Sequence, residues 1–213
     1  MAVLSKISMK LRMRLPISNP SSFVVTPLVE PDSAFEEDAL DLRLGSHFLL
    51  PQQPPLPFNE PNSESAHSGH QRIHIPLGSS LVVPAHQTVL GSTLEFIKVP
   101  YDVAGEILTK SSVARTFVVI ETAPWIHPNY RGCLTLEIAN VSNTPLLLYP
   151  GRPIGQLVLM EIDRPVVIEK LVGQYLGPVY PEAPKFPDPQ EDLAKLGVRM
   201  RSRWGKVPGE QRP

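Results

Sequence analysis

One cysteine, Cys133, is the whole thiol content of these 213 residues. A single thiol excludes an intrachain disulfide and any cysteine-rich zinc site, and it fits a reducing compartment. No run of 18 apolar residues occurs, so no membrane-spanning helix is expected. Neither sign of charge dominates: 20 Lys and Arg face 21 Asp and Glu, for a net charge of −1 and a pI near 6.6. That balance offers no global attraction to nucleic acid, and neither nucleic acid nor membrane is expected as a partner. The first 15 residues carry Lys6, Lys10, Arg12 and Arg14 without an acid. They lack the apolar stretch and small-residue cleavage site of a signal peptide. They read as a short amphipathic helix ending at Pro16, with a transit peptide as the alternative, and a cytoplasmic location is expected.

Proline is what the chain has in excess, at 25 residues, about twice the usual share of about 5%. It removes backbone donors and breaks helix interiors, which excludes a helix bundle or coiled coil. Hydrophobic residues make up 42%, enough to bury the core of one domain with tails. Residues 16–33 read as turn, short strand, turn. Leu40-Asp41-Leu42-Arg43-Leu44 alternates strictly, as a half-buried strand does, and Gly45 ends it. Residues 51–70 are a Pro- and Ser-rich loop. His67, His70 and His74 lie in or beside it, but without a Cys or carboxylate pattern they read as solvated histidines rather than a metal site. From Ile73 to about Ile168 come short β-branched runs broken by Pro, Gly or Asn, which predict a sandwich or barrel. Past Pro178 a Pro-rich arm leads to a short helix capped by Asp188 and stopped by Gly197, then to a basic tail. The expected organisation is a lead segment over 1–20, a β domain over 21–180 carrying the 51–70 loop, and a C-terminal arm over 181–213.

Three segments bear groups with chemical potential. Along a strand over 132–140, Leu134, Leu136 and Ile138 share a core face, while Cys133, Thr135, Glu137 and Ala139 share the other. A lone carboxylate among small side chains can be desolvated into a general base; a solvent-facing strand Glu is the plainer reading. Lys110-Ser111-Ser112-Val113-Ala114-Arg115 sets two hydroxyls between two cations, a phosphate grip or ordinary turn material. Residues 121–132 read as a β-hairpin, either presenting backbone groups to a flat base edge or simply packing Trp125 and Tyr130.

The order of Lys110-SSVAR-115, TAPWIHPNYRG, TLEIAN and LLLYPGRPIGQL strongly resembles the dCTP deaminase family of the dUTPase-like superfamily, over about residues 23–180. The resemblance implies a mainly β fold, a distorted β-barrel or jelly roll, here with short helices at the termini. It implies a homotrimer with sites between subunits. The implied reaction removes the 4-amino group of dCTP, giving dUTP and ammonia without zinc, with Mg2+ bound only through the substrate triphosphate. By position, Glu137 is the implied general base, Ser111 positions water and pyrimidine, Arg115 holds Glu137 and offsets developing charge, and the Ala123 carbonyl orients the water. Lys110 and Ser112 fall where the family grips phosphates. Val113, Ala114, His127, Thr135, Leu136, Gln156, Gln174 and Tyr175 are the other implied substrate-binding positions.

Departures from the family pattern accompany these matches. His127 stands where the family has an Asp on the deoxyribose 3′-hydroxyl, and Asn129 where it has Gly. Thr116-Phe117 replaces the Gly after SSxAR, and Gln174 replaces a late Lys. Pro124 occupies the position that is often His in dUTP-forming and Gly in dUMP-forming members. A bifunctional dUMP-forming deaminase and a non-catalytic nucleotide-binding homologue are the alternative readings.

Overall fold

The computed structural model describes residues 2–52, 69–121, 123–163 and 177–185. The chain divides into two compact units, one of residues 1–51 and 70–182, the other of 52–69 and 183–213. In the second, the Gln52 N–H donates to the Gly69 carbonyl at 2.7 Å. The expected helix at Asp188, most of the 51–70 loop with His67, and Gln174 and Tyr175 lie outside the described residues.

The first unit opens with helix α1 (Lys6–Met13). Ser5 caps it by accepting from the Ser8 N–H, and Met9 buries its inner face. The helix stops at Met13, just short of Pro16. Short strands follow: β1 (Val24–Thr26), β2 (Phe35–Glu36), β3 (Ala39–Arg43), β4 (His47–Pro51), β5 (His70–His74), β6 (Leu81–Val83), β7 (Thr88–Lys98) and β8 (Val103–Thr109). A one-turn helix α2 (Ser111–Ala114) precedes β9 (Val118–Ile120), β10 (Trp125–Ile126), β11 (Arg131–Asn140), β12 (Leu146–Leu148) and β13 (Pro153–Glu161). His70 and His74 thus stand at the two ends of a strand.

All strand pairings among the described residues are antiparallel. One sheet runs β5-β4-β7-β11-β9, with β1 also on β7; a second runs β10-β8-β13-β3-β2; β12 and β6 form a ribbon. The core lies between the two larger sheets. Leu134, Leu136 and Ile138 of β11 meet Leu40 and Leu42 of β3, Ile107 of β8, and Leu157 and Leu159 of β13 there. The alternation seen in the sequence is therefore the in–out alternation of strands buried on one face.

The sheets join where β7 bulges. Cys133 pairs with Phe96 but Thr135 with Ser92, so Thr93, Leu94 and Glu95 oppose Leu134 alone. Thr93 Oγ1 takes up the Leu134 N–H at 2.9 Å and donates to the Glu95 carbonyl at 2.8 Å. The Glu95 carboxylate accepts the Arg43 N–H at 2.9 Å, and Leu44 bridges to Thr93.

Residues 121–132 do not form the expected hairpin. Trp125 and Ile126 pair with Glu106 and Gly105 of β8, in the other sheet from β11. Gly105 permits this: a side chain there would meet the Ile126 Cβ at 3.3 Å and the Leu157 side chain at 3.1 Å. The turn residues instead close a crossing between sheets, with the Tyr130 N–H on the His127 carbonyl at 3.1 Å and Asn129 at φ 62°. Asn is among the few non-glycine residues that adopt this conformation readily.

Candidate active site

Strand β11 sets Glu137 on the face turned from the core. Two segments share that strand's outer edge. The chain at 177–182 lies along its first half: Gly177 N–H donates to the Arg131 carbonyl, Cys133 N–H to the Pro178 carbonyl, both at 2.7 Å, and Glu182 N–H to Thr135 Oγ1 at 3.2 Å. Strand β9 takes the second half, through Val118–Asn140, Val119–Ala139 and Ile120–Ile138. Glu137 stands where the two meet. Partial burial pushes its carboxyl above the ordinary range, and the charge of Glu121 adds to the rise.

Helix α2 packs on β9, which brings the SSVAR segment toward the same edge. Ser111, Ser112, Ala114 and Arg115 are exposed, while the Val113 side chain packs against the core, leaving only its backbone for a ligand. The Arg115 N–H donates to the Ser111 carbonyl at 3.2 Å. Leu136 is fully buried, so it too can offer only backbone. Thr135 is half-buried under the 177–182 segment, and Ala123 and His127 are exposed.

Lys110 and Gln156 meet in a cluster that the sequence did not reveal. The ammonium lies 2.7 and 2.8 Å from the Asp41 oxygens and 2.8 Å from Glu36. The Gln156 amide donates to Glu36 at 2.8 Å and to Asp41 at 3.2 Å. Desolvation alone would lower the Lys110 pKa, but the two carboxylates outweigh it and hold the ammonium charged. The hydrogen bond and charge of Lys110 in turn lower Glu36. The alternation Leu40-Asp41-Leu42 marks Asp41 as facing away from the core, but the separation of 69 residues from Lys110 hides the pairing. Glu36 and Glu121 were likewise missed.

Asn140, the last residue of TLEIAN, serves the scaffold. Its buried amide donates to the carbonyls of Val83, Pro84 and Thr144, and its oxygen accepts from Ser142. Among the described residues, no group of three or more His, Cys, Asp and Glu is placed to hold a metal ion. Burial pushes the Cys133 thiol up to about 11.

These sheets and this edge define a mainly β protein, two antiparallel sheets around one core with a carboxylate at the edge of one of them. A family model described as dCTP deaminase-like matches residues 20–162. A dCTP deaminase of Haloarcula marismortui is 34% identical over 174 residues, 79% of this chain and 89% of the relative. A dUMP-forming dCTP deaminase of Methanoculleus marisnigri is 36% identical over 64% of this chain and 69% of its own. A dUMP-forming dCTP deaminase of Coprothermobacter proteolyticus is 32% identical over 78% of this chain and 88% of its own. Among solved structures, the dCTP deaminase of Agrobacterium tumefaciens superposes with a TM-score of 0.56 at 17% identity, over 74% of this chain and 47% of that one, a likeness of fold. The chain belongs to the dCTP deaminase-like family.

Proposed function

We propose that this protein deaminates dCTP hydrolytically, with Glu137 as general base. The observation that carries the reading is the solvent-accessible Glu137 carboxyl at the junction of β9 and the 177–182 segment, its pKa raised first by partial desolvation, with α2 packed on β9. A carboxylate in such a place takes a proton from water. The hydroxide bonds to C4 of the pyrimidine, the proton passes from Glu137 to the 4-amino nitrogen, and the C4–N bond breaks. dCTP and water become dUTP and ammonia. Ser111 positions the water and base, Arg115 offsets the charge developing in the transition state, and the Ala123 carbonyl orients the water. Lys110, Ser112, Gln156, Gln174 and Tyr175 bind substrate, and His127 meets the sugar.

The route needs no protein-bound zinc. The buried thiol of Cys133 resists forming a thiolate ligand. Magnesium enters as part of the substrate, held by the triphosphate. The working unit is a homotrimer in the cytoplasm. Exposed Phe117, Val119 and Val141 lie on the same sheet face as Glu137 and give a second subunit an apolar seat.

A second reading is favoured by relatives named dUMP-forming at comparable identity. In it a second water also cleaves the triphosphate, so that dCTP and two waters give dUMP, pyrophosphate and ammonia. Purified protein incubated with dCTP and magnesium decides between them when ammonia, dUTP, dUMP and pyrophosphate are scored separately. Ammonia with dUTP supports the first reading; ammonia with dUMP and pyrophosphate supports the second. Nucleotide binding without ammonia would leave a non-catalytic homologue.

A further inference from the structure

Directly across the sheet edge from Glu137 stands another carboxylate. Pairing of β9 with β11 continues one residue past Ile120, where the Glu121 N–H donates to the Glu137 carbonyl at 2.8 Å. The Ile120–Ile138 register therefore extends to Glu121 and Glu137. Opposed residues of an antiparallel pair point to one face, with Cα atoms about 5.5 Å apart when hydrogen-bonded. Like charges opposed in this way destabilise a sheet, and Glu121 is exposed, so no burial of its side chain compensates. The juxtaposition weakens the edge and sets the charge of Glu121 beside Glu137.

We propose that Glu121 is a positioning residue for the deamination, acting through Glu137 to make its carboxylate a stronger base toward water and a better carrier of the proton to the leaving amine. The proposal rests on the reading of Glu137 as general base. Glu121 touches no reacting atom; its field disfavours a second negative charge beside it. The rise in the Glu137 pKa, due first to desolvation and then to Glu121, agrees. Charged and titratable groups lie on the elements packed beside the pair. Arg115 closes α2, which packs on β9. Glu182 donates its N–H to Thr135 beside Glu137, and Cys133 lies further along β11. Arg72 of β5 ends the cross-strand row through Leu49 and Leu90 to Glu137.

The test compares kcat/KM for dCTP from pH 4.5 to 9 in wild type, Glu121→Gln and Glu121→Asp. Carboxylate 13C NMR titrations accompany it, with the Glu137 signal assigned by its loss in Glu137→Gln. Glu121→Gln is expected to move the acid limb and the Glu137 midpoint down by about half a pH unit or more, and Glu121→Asp to restore part of the shift. An unmoved acid limb, with the rate unchanged or lowered equally at every pH, overturns the role of Glu121 while leaving Glu137 as base. An unmoved NMR midpoint overturns it as well. A wild type that binds dCTP but releases no ammonia overturns the functional reading itself, and that outcome is seen before any variant is compared.

Discussion

Glu95 carries a carboxyl into the seam between the two sheets, where it is only 3% exposed. Burial pushes it up to about 7 from the ordinary 4.5, against the pull of the Arg43 N–H and charge. Between those pH values the folded protein keeps a proton that the unfolded chain releases. Stability tied to this group is therefore complete below the window and is lost as pH rises through it. Glu95→Gln keeps an oxygen for the Arg43 N–H and removes the ionisation. The variant is expected to gain on wild type by about 2–3 kcal/mol as pH goes from 5 to 8, read from urea midpoints; parallel pH slopes would dismiss the argument. Lys98 is the opposite case, a buried cation whose pKa is lowered by desolvation and then by Arg131. Its ammonium donates to the carbonyls of Ile17 and Asn19 and to Ser22 Oγ. Lys98→Met leaves those acceptors in place without a donor, and a loss of about 2–4 kcal/mol is expected in chemical denaturation.

The element that closes over Thr135 depends on one glycine. Gly132 sits at φ 146°, and a Cβ there would lie 2.5 Å from Pro178 Cδ. Neither the backbone angle nor the space admits a side chain. The 177–182 segment is fastened by its hydrogen bonds to Arg131, Cys133 and Thr135 and by the Tyr180 ring set edge-on against His47, centroids 4.4 Å apart. Gly132→Ala is expected to lift this segment while the core of β11, Leu134 to Ile138, stays folded. Hydrogen exchange of the Cys133 and Gly177 amides should rise at least tenfold relative to the Leu136 amide, the signature of local opening. Unchanged protection at both would show that the segment does not depend on that contact.

At the scale of the whole molecule, the exposed face beside Glu137 carries Phe117, Val119 and Val141, and Phe117 is 63% exposed. Phe117 also has φ 62°, a conformation that strains a bulky residue and falls where the family pattern has Gly. An exposed aromatic in a strained backbone gains nothing within one subunit; under a partner its ring would be covered. Light scattering is expected to show a trimer. Phe117→Asn, which keeps the left-handed backbone without the ring, should raise the trimer's dissociation constant at least tenfold with the far-UV spectrum unchanged. A wild type monomeric at all concentrations yet fully active would remove the trimer from the mechanism.

Strand positions and core faces follow from neighbours two residues apart, and so they were readable in the chain. Leu40, Leu42 and Leu44, or Leu134, Leu136 and Ile138, need only the pleat to share a face, and all six are buried. The family motifs were equally local, which is why the order KSSVAR, TLEIAN and YPGRPIGQ pointed to the family now shown by the comparisons. Partner strands were not readable. The turn residues of 121–132 signal a reversal but not whose edge Trp125 and Ile126 will join; packing over Gly105 settled that in favour of β8. Nor do local neighbours show which acids Lys110 meets: folding sets it against Glu36 and Asp41 from strands 74 and 69 residues away. Glu121 opposes Glu137 for the same reason: its alternation with Ile120 chose its face, but only the closure of β9 onto β11 set the two charges side by side.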